Sequence, residues 1–252
     1  MAIENKILTF GTGKIGTVGG NKLMGYTEPP VPLQVTDIRL WLNNDLATMT
    51  VNGSNRVSQW RDSSGNLNHF SQGTGANQPL FVSNGINGQN GVKWANGVTE
   101  FLDCTLTNTI NQPNTMFFVW NIDASSTNLY PCLYDRANVA HDRVVCYWFS
   151  NQLYFASDTP VNVYTKNRPF NLINTQVVNN ATNSKIYENG TLKNTINLGN
   201  KPITSLRLGH TGVLDSTTRL SGYICEVIVY AKELSAGERT LINTYLSTKY
   251  GL

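Results

Sequence analysis

Charge is scarce in this chain. Only 14% of its 252 residues are Asp, Glu, Lys or Arg, and the net charge is +3. No run of Lys and Arg is interleaved with aromatics, so the electrostatic footprint of a nucleic-acid-binding protein is absent. Long apolar runs are missing too: nothing approaches the roughly 20 residues of a membrane-spanning helix. The start of the chain has one early lysine, Lys6, and an apolar piece, Ile7-Leu8, far too short for a secretory core. The chain therefore reads as a whole translation product. The cysteines Cys104, Cys132, Cys146 and Cys225 lack C-x-x-C spacing and sit in strand-like contexts, which predicts reduced core thiols. The histidines His69, His141 and His210 have no metal-ligand spacing, and no G-x-S-x-G elbow is present. Gly11-Thr12-Gly13-Lys14 lacks the spacing of a phosphate loop. No metal, cofactor or catalytic set is predicted.

What the chain has in quantity is Asn, Thr, Ser and Gly around short apolar runs. Such runs are Ile38–Leu42, Val57–Trp60, Gly91–Trp94, Met116–Trp120, Val144–Phe149, Leu153–Phe155, Asn174–Val178, Leu206–Leu208 and Tyr223–Tyr230. β-branched and aromatic residues dominate them and turn residues bound them, the pattern of an all-β domain. Asn189-Gly190, between Lys185–Glu188 and Thr191–Lys193, is the pair best suited to a tight hairpin with two positive φ values. One helix is predicted at the end. Ser235 caps it with Glu238 at the capping-box position, Leu241, Ile242, Tyr245 and Leu246 form its stripe, and Gly251 stops it. Residues 1–35 differ: glycines punctuate a short basic stretch and Pro29, Pro30 and Pro32 follow. That composition predicts an arm and stiff linker ahead of a domain at 36–252.

Several segments together resemble a known family. Val57-Ser58-Gln59-Trp60-Arg61-Asp62-Ser63-Ser64-Gly65-Asn66 is similar to the V-x-x-W-x-D-x-S-G-N signature of concanavalin A-like (laminin-G-like) lectin/glucanase domains. Gln78–Phe81, Gly91–Trp94 and Phe101-Leu102 occupy the places of that family's next segments. The ending, Gly222–Tyr230 followed by Leu234-Ser235, Glu238-Arg239, Tyr245-Leu246 and Lys249–Leu252, matches best. The resemblance covers about 36–252. It implies an antiparallel β-sandwich of jelly-roll type with one C-terminal helix and an extended N-terminal arm.

Fold alone does not specify function. Trp60 reads as a core anchor, Asp62 as the organiser of its own turn, and Glu226 as a structural hydrogen-bond acceptor. Calcium at Asp62 would need further oxygen ligands, and no second acid stands nearby. Glucanases of this fold carry their acids as E-x-D-x-x-E, which this chain lacks; Asp135, Asp142 and Asp158 are spread among segments. A non-enzymatic protein is expected. For glycan binding the candidates lie in Tyr130–Tyr154, namely Tyr134, Asp135, Arg136, His141, Trp148 and Tyr154, with ordinary sheet roles as the alternative for Trp148 and Tyr154. The favoured setting is a bacteriophage virion, as a head-decoration, fibre or tail-associated protein. Its arm would dock on other virion proteins, it would form a homo-oligomer, and its sandwich would meet host surface glycan. A bacterial surface or secreted carbohydrate-binding module and a divergent glycanase are the alternatives.

Overall fold

A computed structural model describes residues 30–137, 145–157, 160–178 and 183–252. The strands are β1 (Ile38–Leu42), β2 (Met49–Val51), β3 (Val57–Trp60), β4 (Phe70–Ser71), β5 (Leu80–Val82) and β6 (Gly91–Trp94). Next come β7 (Leu102–Ile110), β8 (Asn114–Ile122), β9 (Cys132–Asp135), β10 (Val145–Phe149), β11 (Gln152–Ala156) and β12 (Val161–Thr165). The last are β13 (Phe170–Val178), β14 (Ser184–Glu188), β15 (Thr191–Ile196), β16 (Ile203–Leu208) and β17 (Gly222–Tyr230), before helix α1 (Ala236–Tyr250).

They form two antiparallel sheets. One runs β15-β14-β13-β8-β17-β6-β5, with β1 also on β17; the other runs β12-β11-β10-β9-β16-β7-β4-β3-β2. Between them lies the main core, which includes Leu40, Trp60, Phe70, Phe118, Trp120, Tyr134 and Phe155. This is the predicted all-β sandwich, with its helix at the end.

A second core explains why β8 and β17 read as almost continuous apolar runs rather than alternating ones. Met116, Phe118 and Trp120 of β8 enter the main core. Phe117 and Val119 face the other way, into a cluster with Trp41, Ile228, Tyr230, Ile242, Leu246 and Tyr250. Strands covered on both faces need apolar side chains on both. The cover is α1. Its capping box is complete, with Ser235 Oγ accepting from Glu238 N and Glu238 Oε2 accepting from Ser235 N, and Gly251 ends it at φ +64°. Of the expected stripe, Ile242 and Leu246 are buried, whereas Leu241 is 40% exposed. Tyr250 joins the buried face instead, four residues beyond Leu246.

The domain boundary expected at residue 36 falls earlier. Val31–Gln34 form a 3-10 turn, Pro32 and Val35 are buried, and Val35 joins the cluster under α1. Tyr230 donates to the carbonyl of Pro32 at 3.0 Å. The rest of the expected arm, residues 1–29, lies outside the described residues.

Two buried carboxylates hold the signature segments. Asp62 accepts from Trp41 N, Ser64 N, Ser64 Oγ and Asn68 N at 2.8–3.0 Å, which ties its loop to β1. Glu226, 1% exposed in β17, accepts from Trp41 Nε1 (2.7 Å) and Tyr245 (2.8 Å) on one oxygen, and from Lys249 (2.7 Å) and Tyr250 (2.8 Å) on the other. Burial, and next the Glu226 charge, push the hydroxyls of Tyr245 and Tyr250 well above their ordinary pKa. Both therefore remain donors. The same logic governs the thiols: all four cysteines are buried, and burial pushes Cys104 and Cys225 up to about 12.

Candidate functional site: an aromatic face

Strands β10 and β11 are joined by Ser150-Asn151, both at positive φ (48° and 62°). This two-residue turn sets the register: Phe149 opposes Gln152, Trp148 opposes Leu153, and Tyr147 opposes Tyr154. Cross-strand partners share a face. Cys146, Trp148, Leu153 and Phe155 therefore point into the main core, and Tyr147, Phe149, Gln152 and Tyr154 point out. On that outer face Tyr147 packs over the small buried cluster Cys132, Val145 and Ala156.

The outward rings form a contiguous group. Tyr147 and Tyr154 stack with centroids 5.1 Å apart and planes 2° from parallel. Tyr130, from the loop before β9, stacks on Phe149 at 4.5 Å and meets Tyr147 edge-on at 6.1 Å. Phe149 and Tyr154 are 6.3 Å apart, which closes the group. All four rings are half-buried rather than enclosed. Polar groups accompany them: Tyr154 donates to Gln152 Oε1 at 3.0 Å, and exposed Asn162 of β12 opposes Tyr154. The loop bearing Tyr130 is anchored by Tyr130 N to Thr217 O (2.9 Å) and by Asn128 Nδ2 to Arg219 O (2.8 Å).

Only part of the predicted site lies here. Tyr154 is on this face. Tyr134 is not: it is fully buried, its ring stacks on Phe118 at 4.8 Å, and its hydroxyl reaches Gln176 Oε1 at 2.5 Å. Burial keeps that hydroxyl protonated, well above its ordinary pKa. Trp148 is 5% exposed, with Nε1 on Lys166 O (2.6 Å) and the Arg168 guanidinium 4.2 Å from its ring centroid. Neither ring can meet a sugar from solvent, because each already packs on protein on the inner side of its strand. Asp135 is fully buried and accepts from the backbone N–H of Arg136 and of Gly212. Arg136 reaches Thr204 Oγ1 at 2.6 Å. His141 lies outside the described residues. Tyr130, Tyr147 and Phe149 lie within the candidate region Tyr130–Tyr154 but are not among its named candidates, although the Ser150-Asn151 turn pairs Tyr147, not Trp148, with Tyr154.

The acids of this sheet are engaged structurally. Arg207, 2% exposed, forms a two-pronged pair with Asp103, 2.7 Å on each arm, and donates to the carbonyls of Thr211 and Gly212. Asp135 opposes Arg207 from the other neighbouring strand. No cluster of three or more His, Cys, Asp or Glu able to hold a metal occurs among the described residues. No helix among them is long and apolar enough to cross a membrane.

Two antiparallel sheets, one with an aromatic outer face, make this domain a β-sandwich. Solved structures agree in fold. The binding domain of botulinum neurotoxin DC, in complex with rat synaptotagmin II, superposes with TM-score 0.61 at 16% identity, over 83% of this chain and 52% of that one. A structure of botulinum neurotoxin type C, whose cell entry is described as dependent on two ganglioside molecules, gives TM-score 0.58 at 16% identity, over 83% and 51%. Trypanosoma rangeli sialidase in complex with sialic acid gives 0.52 at 12% identity, over 86% and 34%. The chain thus spans about half of the toxin domains and a third of the sialidase. No family model and no curated protein sequence matches it.

Proposed function

We propose that this chain is a non-enzymatic glycan-binding sandwich, and that the outer face of β10 and β11 is its contact surface. The observation that carries the reading is the group of four half-buried rings, Tyr130, Tyr147, Phe149 and Tyr154, held on rigid strands. Aromatic surface suits the C–H face of a sugar ring, and the amides Gln152 and Asn162 beside it suit hydroxyls. Glycan ligands named for two of the similar structures, gangliosides and sialic acid, support the class. A non-enzymatic role is supported by the state of the acids: both oxygens of Asp103 are taken by Arg207, and Asp135 is enclosed. Most glycosidases place two carboxylates across the scissile bond.

The setting we propose is the surface of a bacteriophage particle, where the resembling domains occur. A shallow site binds weakly per copy, and many copies on one particle would supply avidity. The test is a glycan array with the full chain, followed by titration of the best ligand. The double substitution Tyr147→Ala/Tyr154→Ala should weaken binding tenfold or more. Unchanged binding would reject the aromatic face, and sugar release abolished by one Asp or Glu substitution would reject the non-enzymatic reading.

A further inference from the structure

The geometry points to a second site, for a carboxylate-bearing saccharide, in the polar pocket that contains Arg39. This pocket, about 490 Å³, is lined by Arg39, Asn108, Thr109, Asn111, Gln112, Pro113 and Ala231. That volume lies in the range of small-ligand sites. It sits where β7 turns into β8, whereas the loop bearing Tyr130 follows the other end of β8. Nine strand residues, about 27 Å, separate those ends. The two sites are therefore distinct.

Arg39 is placed by an irregularity in the sheet. Ile38 pairs with Tyr230 and Leu40 with Val229, so Arg39 is the extra residue of a bulge in β1. A bulge re-aims a side chain that regular pairing would constrain. The bulge is itself held in place, because Asn68 Nδ2 donates to the Arg39 carbonyl and Asn66 Nδ2 to that of Ile38.

Among the described residues the guanidinium has no partner. Arg56 pairs with Glu100 and Arg207 with Asp103; Arg61, Arg136, Arg168, Arg219 and Arg239 each donate to a carbonyl or hydroxyl. Among the described arginines, Arg39 alone makes neither a hydrogen bond nor an ion pair. It is half-buried, and no carboxylate among the described residues lines the pocket with it. A fork of donors partly withdrawn from water, with no internal acid, is matched by an external planar oxyanion. The amides of Asn108 and Asn111 and the hydroxyl of Thr109, all exposed, offer donors and acceptors for sugar hydroxyls, which a bare anion would not use.

An adjacent loop adds an independent sign. Leu67 is held at φ +61° and is 68% exposed. A branched residue in that conformation costs about 1 kcal/mol or more, and nothing is gained from burial here. The residues on either side of it carry the hydrogen bonds to Ile38, Arg39 and Thr107, so Leu67 stands on the loop next to Arg39 as apolar surface.

The test is titration of the full chain with D-glucuronate, N-acetylneuraminate, D-glucose and inorganic phosphate at low and moderate ionic strength. Saturable, salt-sensitive binding of one of the two carboxylate sugars is expected, without binding of glucose. Arg39→Gln should weaken it tenfold or more with no change in Tm, since Arg39 has no internal partner to lose, and Arg39→Lys should restore part of it. The Tyr147→Ala/Tyr154→Ala variant should bind the carboxylate sugar as the parent chain does, which separates this site from the aromatic face. No saturable binding, equal binding by Arg39→Gln, or binding of phosphate in place of the sugars would each overturn the assignment.

Discussion

The two outer faces of the sandwich are finished in opposite ways. On the β8/β17 sheet, Trp41, Phe117, Val119, Ile228 and Tyr230 are closed over by α1, and Glu226 gathers four donors from β1 and the helix. On the β10/β11 sheet, rings of similar size stay half-buried and pack mainly on one another. Aromatic content alone therefore does not separate core from half-buried surface. Cover does, and the cover is supplied by a distant element.

The largest effect should come from unlocking the covered face. Glu226→Ala strands the Trp41 indole N–H and the Tyr245 hydroxyl and leaves Tyr250 only the Cys225 carbonyl, and should cost about 3–5 kcal/mol in denaturant unfolding. Glycan binding should survive at temperatures where the variant stays folded. If Glu226→Ala is neutral, the carboxylate cage is not what holds α1.

Next in size is a contrast between neighbours in β10. Trp148→Ala removes a core ring and should cost about 3–4 kcal/mol, whereas Tyr147→Ala should cost less and lower glycan affinity more. Equal stability losses would show that both faces of β10 are core, and would erase the distinction between the sheets.

A pH effect should follow from the loop over the β9/β16 region. His210 is fully buried, its Nδ1 is 3.2 Å from Thr218 Oγ1, and its Nε2 has no partner among the described residues. Burial first, then the Arg207 charge, lower its pKa from 6.5 to about 4, opposed by the backbone hydrogen bond to Thr211 and by Asp215, with Arg219 adding to the shift. Between those values the unfolded chain binds a proton that the folded chain refuses, so stability falls as pH drops from about 6.5 towards about 4, by up to about 3 kcal/mol. Below that window this group contributes no further loss. His210→Gln should flatten this part of the stability profile, and an unchanged slope would assign the acid sensitivity elsewhere.

The smallest effect should be a gain. Leu67→Gly relieves the left-handed backbone and should raise stability by up to about 1 kcal/mol. A loss instead would mean that the Leu67 side chain packs on the loop in solution.

Local features were legible because their chemistry is local. Asn189-Gly190 takes φ values of 48° and 78° in the hairpin between β14 and β15. Ser235, Glu238 and Gly251 frame α1 as predicted. Trp60 is fully buried, with its indole N–H on Asn43 O at 2.7 Å. Glu226 was expected to accept a structural hydrogen bond, but its four donors include Trp41, 185 residues away, which no spacing rule reaches. The outward face of β10 was not legible: alternation in Val145–Phe149 places Tyr147 and Trp148 on opposite faces without saying which face is inside, since both are aromatic.

By itself, the sequence determined the class of fold, the tight turns, the helix and its caps, and the set of residues from which a contact surface could be made. These follow from φ preferences, capping hydrogen bonds and apolar periodicity, all of which act within a few residues. Tertiary structure alone decided which face of each strand is covered, that Tyr134 and Trp148 pack inward while Tyr130, Tyr147, Phe149 and Tyr154 meet outside, and that no acid among the described residues pairs with Arg39. Burial and charge pairing depend on which distant segments arrive beside a residue, and that is settled only when the sheets close and α1 docks.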